Sequence, residues 1–244
     1  MSQPAGPHLV GPLISQIDEA TGRVSQSAAA LSDEQAAGPS LLPGWSRGHV
    51  LTHLARNADG LRNLLIWART GEETPQYASL QARDEEIEAG ASRPADELVA
   101  DLASSAEAFT DLASQLPDEA WLVEVRMLRG PAMPAWSVLS QRLFEVEVHH
   151  VDLDAGYRPA DWPGEFVTEG LYRIAGRLTQ NPDAPSVVLN DAQTGRQYFI
   201  HADGASDLAV TGPGGTLLAW LLGRDDGAAL STDPAGPLPS VPAY

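Results

Sequence analysis

The stretch Arg142–Gly156, RLFEVEVHHVDLDAG, decides how the rest of the chain is read. Its pattern is that of one amphipathic helix. Each helical residue advances about 100°, so Glu145 and His149 lie within about 40° of one another, and Asp152 shares their stripe. Leu143, Val146, Val148, Val151 and Leu153 flank that stripe with apolar surface, which predicts that the polar groups face other protein. A buried carboxylate and a buried imidazole each need a partner. Mutual hydrogen bonding inside a bundle would satisfy them, and so would a metal ion, and a third ligand elsewhere in the chain would favour the metal. Glu147 is rotated about 200° from Glu145 and reads as a surface charge, while His150, about 100° from His149, reads as a supporting or surface group.

Working outward, the 244 residues allow a sizeable core and favour two domains. A hydrophobic fraction of 43% with 20% charged residues is that of a globular protein, and the 22 glycines and 19 prolines belong in its loops. The formal charge of −18 argues against nucleic acid or an anionic membrane as partner, since both demand clustered Lys and Arg. No run of 18 apolar residues is present, and MSQPAGPHLV lacks the basic start and apolar core of a secretion signal, so a cytoplasmic location is expected. With no cysteine, the chain has no disulfide, no thiolate ligand and no thiol nucleophile; any thiol used in catalysis must arrive from outside.

Leu9, Leu13, Ile17, Val24, Ala28 and Leu31 predict a first core-facing helix, ended by Pro39 and the Pro43-Gly44 pair. Ser46 stands as N-cap for a second long helix carrying Val50, Leu54, Ala58, Leu61 and Leu65. His49, three residues after the cap, is placed to close it, whereas His53 sits one turn deeper with Asn57 and Gly60 on its own face. A loop and a short acidic helix containing Arg83 follow. Pro94 opens a third long helix through Leu98, Leu102, Phe109 and Leu112; residues 116–136 read as irregular or partly extended; and the opening stretch supplies the fourth helix. Four such helices predict a bundle, a fold that builds metal sites from facing helices. Beyond Gly156, a helix in FVTEGLYRIAGRL, strands in SVVLN, RQYFIH and DLAVT and a helix in TLLAWLLGR predict a small mixed α/β unit, with a Pro-rich extended tail. The overall class is α+β, with domains at 1–158 and 159–244.

His53 with Glu145 and His149 makes a two-histidine, one-carboxylate set from two bundle helices. Three protein ligands leave a coordination position open, as catalysis requires, whereas structural zinc usually takes four. The spacing alone is only moderately specific, because E-x-x-x-H occurs in ordinary helices.

LLPGWSRGHVLTHLARNADGL (41–61), WARTGEETPQYASLQARDEEI (67–87) and FEVEVHHVDL (144–153), followed by a small α/β unit whose helix ends in LLGR, closely resemble the mycothiol-dependent maleylpyruvate isomerases. The resemblance spans nearly the whole chain and is carried most specifically by the TGEETP-x-Y and AR-x-EEI segments. It implies a DinB-like metal-binding four-helix bundle followed by a C-terminal domain similar to sterol carrier proteins. It places the metal ligands on His53, Glu145 and His149, with water as fourth ligand and zinc as the expected divalent ion, and active-site arginines on Arg83 and Arg224. Mycothiol is the implied cofactor, a small anionic compound the substrate, gentisate degradation the setting and a monomer the expected form. The implied reaction is isomerisation of maleylpyruvate to fumarylpyruvate. A mycothiol S-transferase and a noncatalytic metal- or ligand-binding protein are the rival readings. For Arg83 and Arg224, surface ion pairing with the nearby acidic segments is the alternative role.

Overall fold

The computed structural model describes residues 6–201 and 206–242; the start of the Pro/Gly leader and the last two residues of the Pro-rich tail lie outside the described residues. The chain divides between Tyr157 and Arg158 into two compact units.

The first unit is built on four long helices, α1 (Val10–Ala29), α3 (Arg47–Thr70), α5 (Ala95–Ser114) and α6 (Ser137–Asp152), with two short ones, α2 (Asp33–Ala37) and α4 (Leu80–Gly90). Apolar residues recur every three or four positions, and each long helix turns that stripe inward: Ile17, Val24 and Ala28 from α1, Leu54, Leu61 and Leu65 from α3, Leu98, Leu102 and Phe109 from α5, Leu139, Val146 and Val151 from α6. Both α1 and α3 pack on α5 and α6, which closes the bundle. Caps fix where α3 begins and ends. The Ser46 hydroxyl accepts from the His49 N–H at 3.2 Å while His49 Nδ1 accepts from the Ser46 N–H at 3.1 Å. At the other end Gly71 takes the left-handed conformation, φ 76°, and donates to Trp67 O. α2 carries the same signature, Ser32 and Gln35 capping each other. The segment expected to be irregular or extended forms a 3-10 turn, Asp118–Leu122, and an antiparallel hairpin of β1 (Glu124–Arg126) and β2 (Ala132–Pro134).

The second unit contains α7 (Gly164–Thr179), β3 (Val187–Asp191), β4 (Gln197–Ile200), β5 (Ala209–Gly212), α8 (Gly214–Leu221) and β6 (Ser231–Asp233). The sheet order is β4-β3-β5-β6, with β3 and β5 parallel and the outer pairs antiparallel. The parallel pair needs a crossover, while Asp191–Gly195 makes the tight turn of the antiparallel one. Val187, Leu189, Ile200 and Val210 are buried in the sheet, and α7 contributes Leu171 and Ile174 and α8 Leu217 and Leu218. Part of the Pro-rich tail is thus a strand, because Ser231–Asp233 pairs with the open edge of β5. Among the described residues no helix is long and apolar enough to cross a membrane.

Candidate metal centre

The seam between α3 and α6 holds the centre. On α3, His53, Asn57 and Gly60 lie on one face; on α6, Arg142, Glu145 and His149 do the same. The helices run so that His53 meets Glu145 and His149, while Asn57 meets Arg142.

Glu145 Oε2 lies 3.1 Å from His53 Nε2 and 3.3 Å from His149 Nε2, and one ligand atom from each residue falls within 4.8 Å of the others. The two imidazoles are nearly perpendicular, their centroids 4.6 Å apart. Each of the three side chains is held from behind. His149 Nδ1 donates to Asp152 Oδ2 at 2.8 Å, which presents Nε2 to the centre. Gln141 Nε2 donates to Glu145 Oε1, leaving Oε2 turned inward. Arg83 Nη2 lies 3.2 Å from His53 Nδ1, and its Nη1 pairs with Asp84 at 2.7 Å. Trp45 walls the site, its ring 5.6 Å from that of His53.

The electrostatics follow from burial and from these partners. Burial first, then the neighbouring His149, pushes His53 down to about 4, against the pull of Glu145. Burial would lower His149 too, but hydrogen bonds to Asp152 and Glu145 reverse that and push it up to about 9. Burial opposes ionisation of Glu145, yet hydrogen bonds from His149 and His53 hold it well below the usual carboxylate range. An ionised carboxylate between two imidazoles, with all three donors converging and each rear atom engaged, suits a divalent ion of borderline softness. The residues fit a metal.

Of the residues singled out in sequence, His53, Glu145, His149 and Arg83 are brought together. Asp152 stands directly behind His149. His49 is occupied elsewhere: it caps α3 and its Nε2 lies 3.1 Å from Glu88. Arg224 lies in the second unit just beyond α8, where its Nη1 donates to Leu222 O at 2.8 Å, a contact that suits a cation at a helix C-terminus. Glu147 and His150 correct the expectation of surface groups. Both are 1% exposed. Glu147 accepts from Arg23 at 2.6 Å and from the Tyr157 hydroxyl at 2.7 Å, and His150 bonds Ser27 and stacks on Tyr157. Helix periodicity gave their direction, pointing away from Glu145. It could not show that α1 covers that side.

Gln141, Trp45 and Tyr77 were not foreseen. Gln141 precedes Glu145 by four residues, a spacing legible in the sequence. Trp45 and Tyr77 lie within the LLPGWSRGH and TGEETP-x-Y stretches that carry the resemblance, but no periodicity places them beside a site on other helices.

Bundle and centre together define a protein with a helical bundle, a two-histidine, one-carboxylate group that could hold a metal, and a second α/β unit. The family model of the mycothiol maleylpyruvate isomerase N-terminal domain matches residues 17–154, and that of the MDMPI C-terminal domain matches residues 161–243. The chain belongs to this family. It is similar to the crystal structure of the mycothiol-dependent maleylpyruvate isomerase, with TM-score 0.88 and 28% identity over 96% of this chain and 97% of that one. A histidine-to-alanine mutant of the mycothiol-dependent maleylpyruvate isomerase matches with the same values. No curated protein matches the chain at a significant level.

Proposed function

We propose that this chain converts maleylpyruvate to fumarylpyruvate, using mycothiol and a divalent metal, expected to be zinc, held by His53, Glu145 and His149. The observation that carries the reading is the convergence of those three donor groups within 4.8 Å, in a chain that matches a mycothiol-dependent maleylpyruvate isomerase over 96% of its length. A metal held by His53, Glu145 and His149 would supply positive charge that lowers the pKa of a thiol beside it. Mycothiol supplies the sulfur whose addition leaves a single bond free to rotate and whose elimination restores the alkene in trans form.

The chain's own residues prepare this chemistry. Asp152 fixes the His149 tautomer, and Gln141 fixes the Glu145 rotamer. With no cysteine, the chain offers no competing thiol. The dicarboxylate substrate must approach a protein of charge −18, so local cations have to overcome the wider field. Arg83, whose Nη2 lies 3.2 Å from His53 Nδ1, is our choice for that task. Arg224 enters the proposal from the family likeness alone, as a second bidentate carboxylate contact. On this reading the protein is a cytoplasmic monomer of gentisate degradation with small-molecule partners.

The test is a spectrophotometric assay of maleylpyruvate with zinc-loaded protein. Fumarylpyruvate is expected only when mycothiol is present. Turnover without the thiol, or none with it, would sink the reading. A stable thiol adduct in place of the trans product would point to the S-transferase.

A further inference from the structure

Two turns along α3 from His53, Gly60 has no side chain and the Tyr77 ring fills the space. A Cβ on Gly60 would stand 2.9 Å from Tyr77 Cζ and 3.0 Å from Cε1. The preceding residue, Gln76, is buried, and its Oε1 accepts from the Leu128 N–H at 2.9 Å. The loop is therefore held at the Tyr77 ring and at the residue before it. Gly60 shares the α3 face of His53 and Asn57, and Arg83, whose Nη2 lies 3.2 Å from His53 Nδ1, also hydrogen-bonds the Tyr77 hydroxyl, so the phenol stands at the seam that carries His53.

The donors and acceptors there are unevenly matched. Arg142 is fully buried, and its Nη1 donates to Leu54 O at 2.8 Å and Asn57 Oδ1 at 2.9 Å, while its Nε and Nη2 have no hydrogen-bond partner. Arg83 and Arg142 can only donate. Both carboxylate oxygens of Glu145 already have partners, Oε1 in Gln141 and Oε2 in the two histidines. A hydroxyl beside cations turns its lone pairs toward them and its proton away, toward an incoming acceptor. A phenol ordinarily gives up its proton only near pH 10, so the proton is present at neutral pH.

We propose that Tyr77 is a catalytic residue whose hydroxyl donates a hydrogen bond to the substrate carbonyl oxygen on which negative charge gathers during thiol addition. The role rests on the isomerase reading above. As the sulfur–carbon bond forms, the alkene electron pair shifts through the conjugated system onto that oxygen. When the bond breaks, the pair returns. No proton leaves Tyr77 at either stage. The interaction strengthens as charge develops and so acts on the transition state more than on the bound substrate.

The test uses the full chain, zinc-loaded, with mycothiol and maleylpyruvate. Tyr77→Phe keeps the ring against Gly60, so its melting temperature, zinc content and KM for mycothiol should match wild type while kcat falls on the order of 10²–10³-fold. Gly60→Ala keeps the hydroxyl but displaces the ring, and should lower kcat with zinc still bound. A kcat for Tyr77→Phe within about threefold of wild type, or full turnover by Gly60→Ala, overturns the role. A residue acting only in packing would move the melting temperature in place of kcat. If wild type itself fails to isomerise maleylpyruvate, the isomerase reading fails and takes this role with it; an active wild type matched by Tyr77→Phe removes the role of Tyr77 alone.

Discussion

Asp152 Oδ2 accepts a hydrogen bond from His149 Nδ1 at 2.8 Å, and the residue that accepts it is 1% exposed. A carboxylate behind a histidine ligand fixes the ring and raises its basicity, and losing such a partner costs about 10–100-fold in metal affinity. Asp152→Ala should fall in that range, measured by competition with a chelator. Asp152→Asn, which keeps an acceptor without the charge, should fall between it and wild type.

His53→Ala should lose more affinity still, since it removes a ligand and not a ligand's support, while far-UV circular dichroism stays that of the wild-type bundle. His49→Ala should keep its metal. It should instead lose up to about 1 kcal/mol of stability, because the imidazole half of the cap with Ser46 and the contact with Glu88 are lost while the Ser46 hydroxyl still accepts from the backbone N–H of residue 49. Metal analysis of both variants checks the assignment, and the opposite pattern would mean that the wrong histidine was chosen.

Glu147 is predicted to make stability pH-dependent from outside the centre. Burial, partly offset by Tyr157 and Arg23, raises its pKa above the ordinary 4.5. The folded chain therefore holds the proton more tightly than the unfolded one, and this contribution to stability falls as pH rises from about 4.5 through the folded value, then levels off. Glu147→Gln lacks the titration. Its stability relative to wild type should improve as pH rises across that window, measured by urea denaturation at matched pH values; a difference independent of pH would sink the prediction.

Arg83→Lys and Arg224→Lys keep a positive charge but lose the planar, two-bond contact with a carboxylate. Each should lower kcat/KM for maleylpyruvate by about 10–100-fold at unchanged metal content. For Arg224, near-normal kinetics in both the Lys and Ala variants would reduce it to the helix-end role that its contact with Leu222 O already describes.

The long helices, strands β3, β4 and β5 of the second unit and the Glu145/His149 stripe were legible in the sequence, because 3.6-residue and two-residue periodicities, caps and Gly/Pro breakers are local properties; β6, in the Pro-rich tail, was not. The capping pair of Ser32 and Gln35 was equally local, and the helix it starts could have been read. Tertiary structure alone decided which elements meet. It brought His53 to Glu145, turned Arg83 onto His53 and set Tyr77 into the notch at Gly60. It also buried Glu147 and His150, which the same helical geometry had correctly aimed away from Glu145, because α1 packs over that side and supplies Arg23 and Ser27 as partners. Periodicity fixes the angle at which a side chain leaves its own helix. Whether water or another helix lies at that angle depends on packing between segments distant in the chain, and no local pattern encodes it.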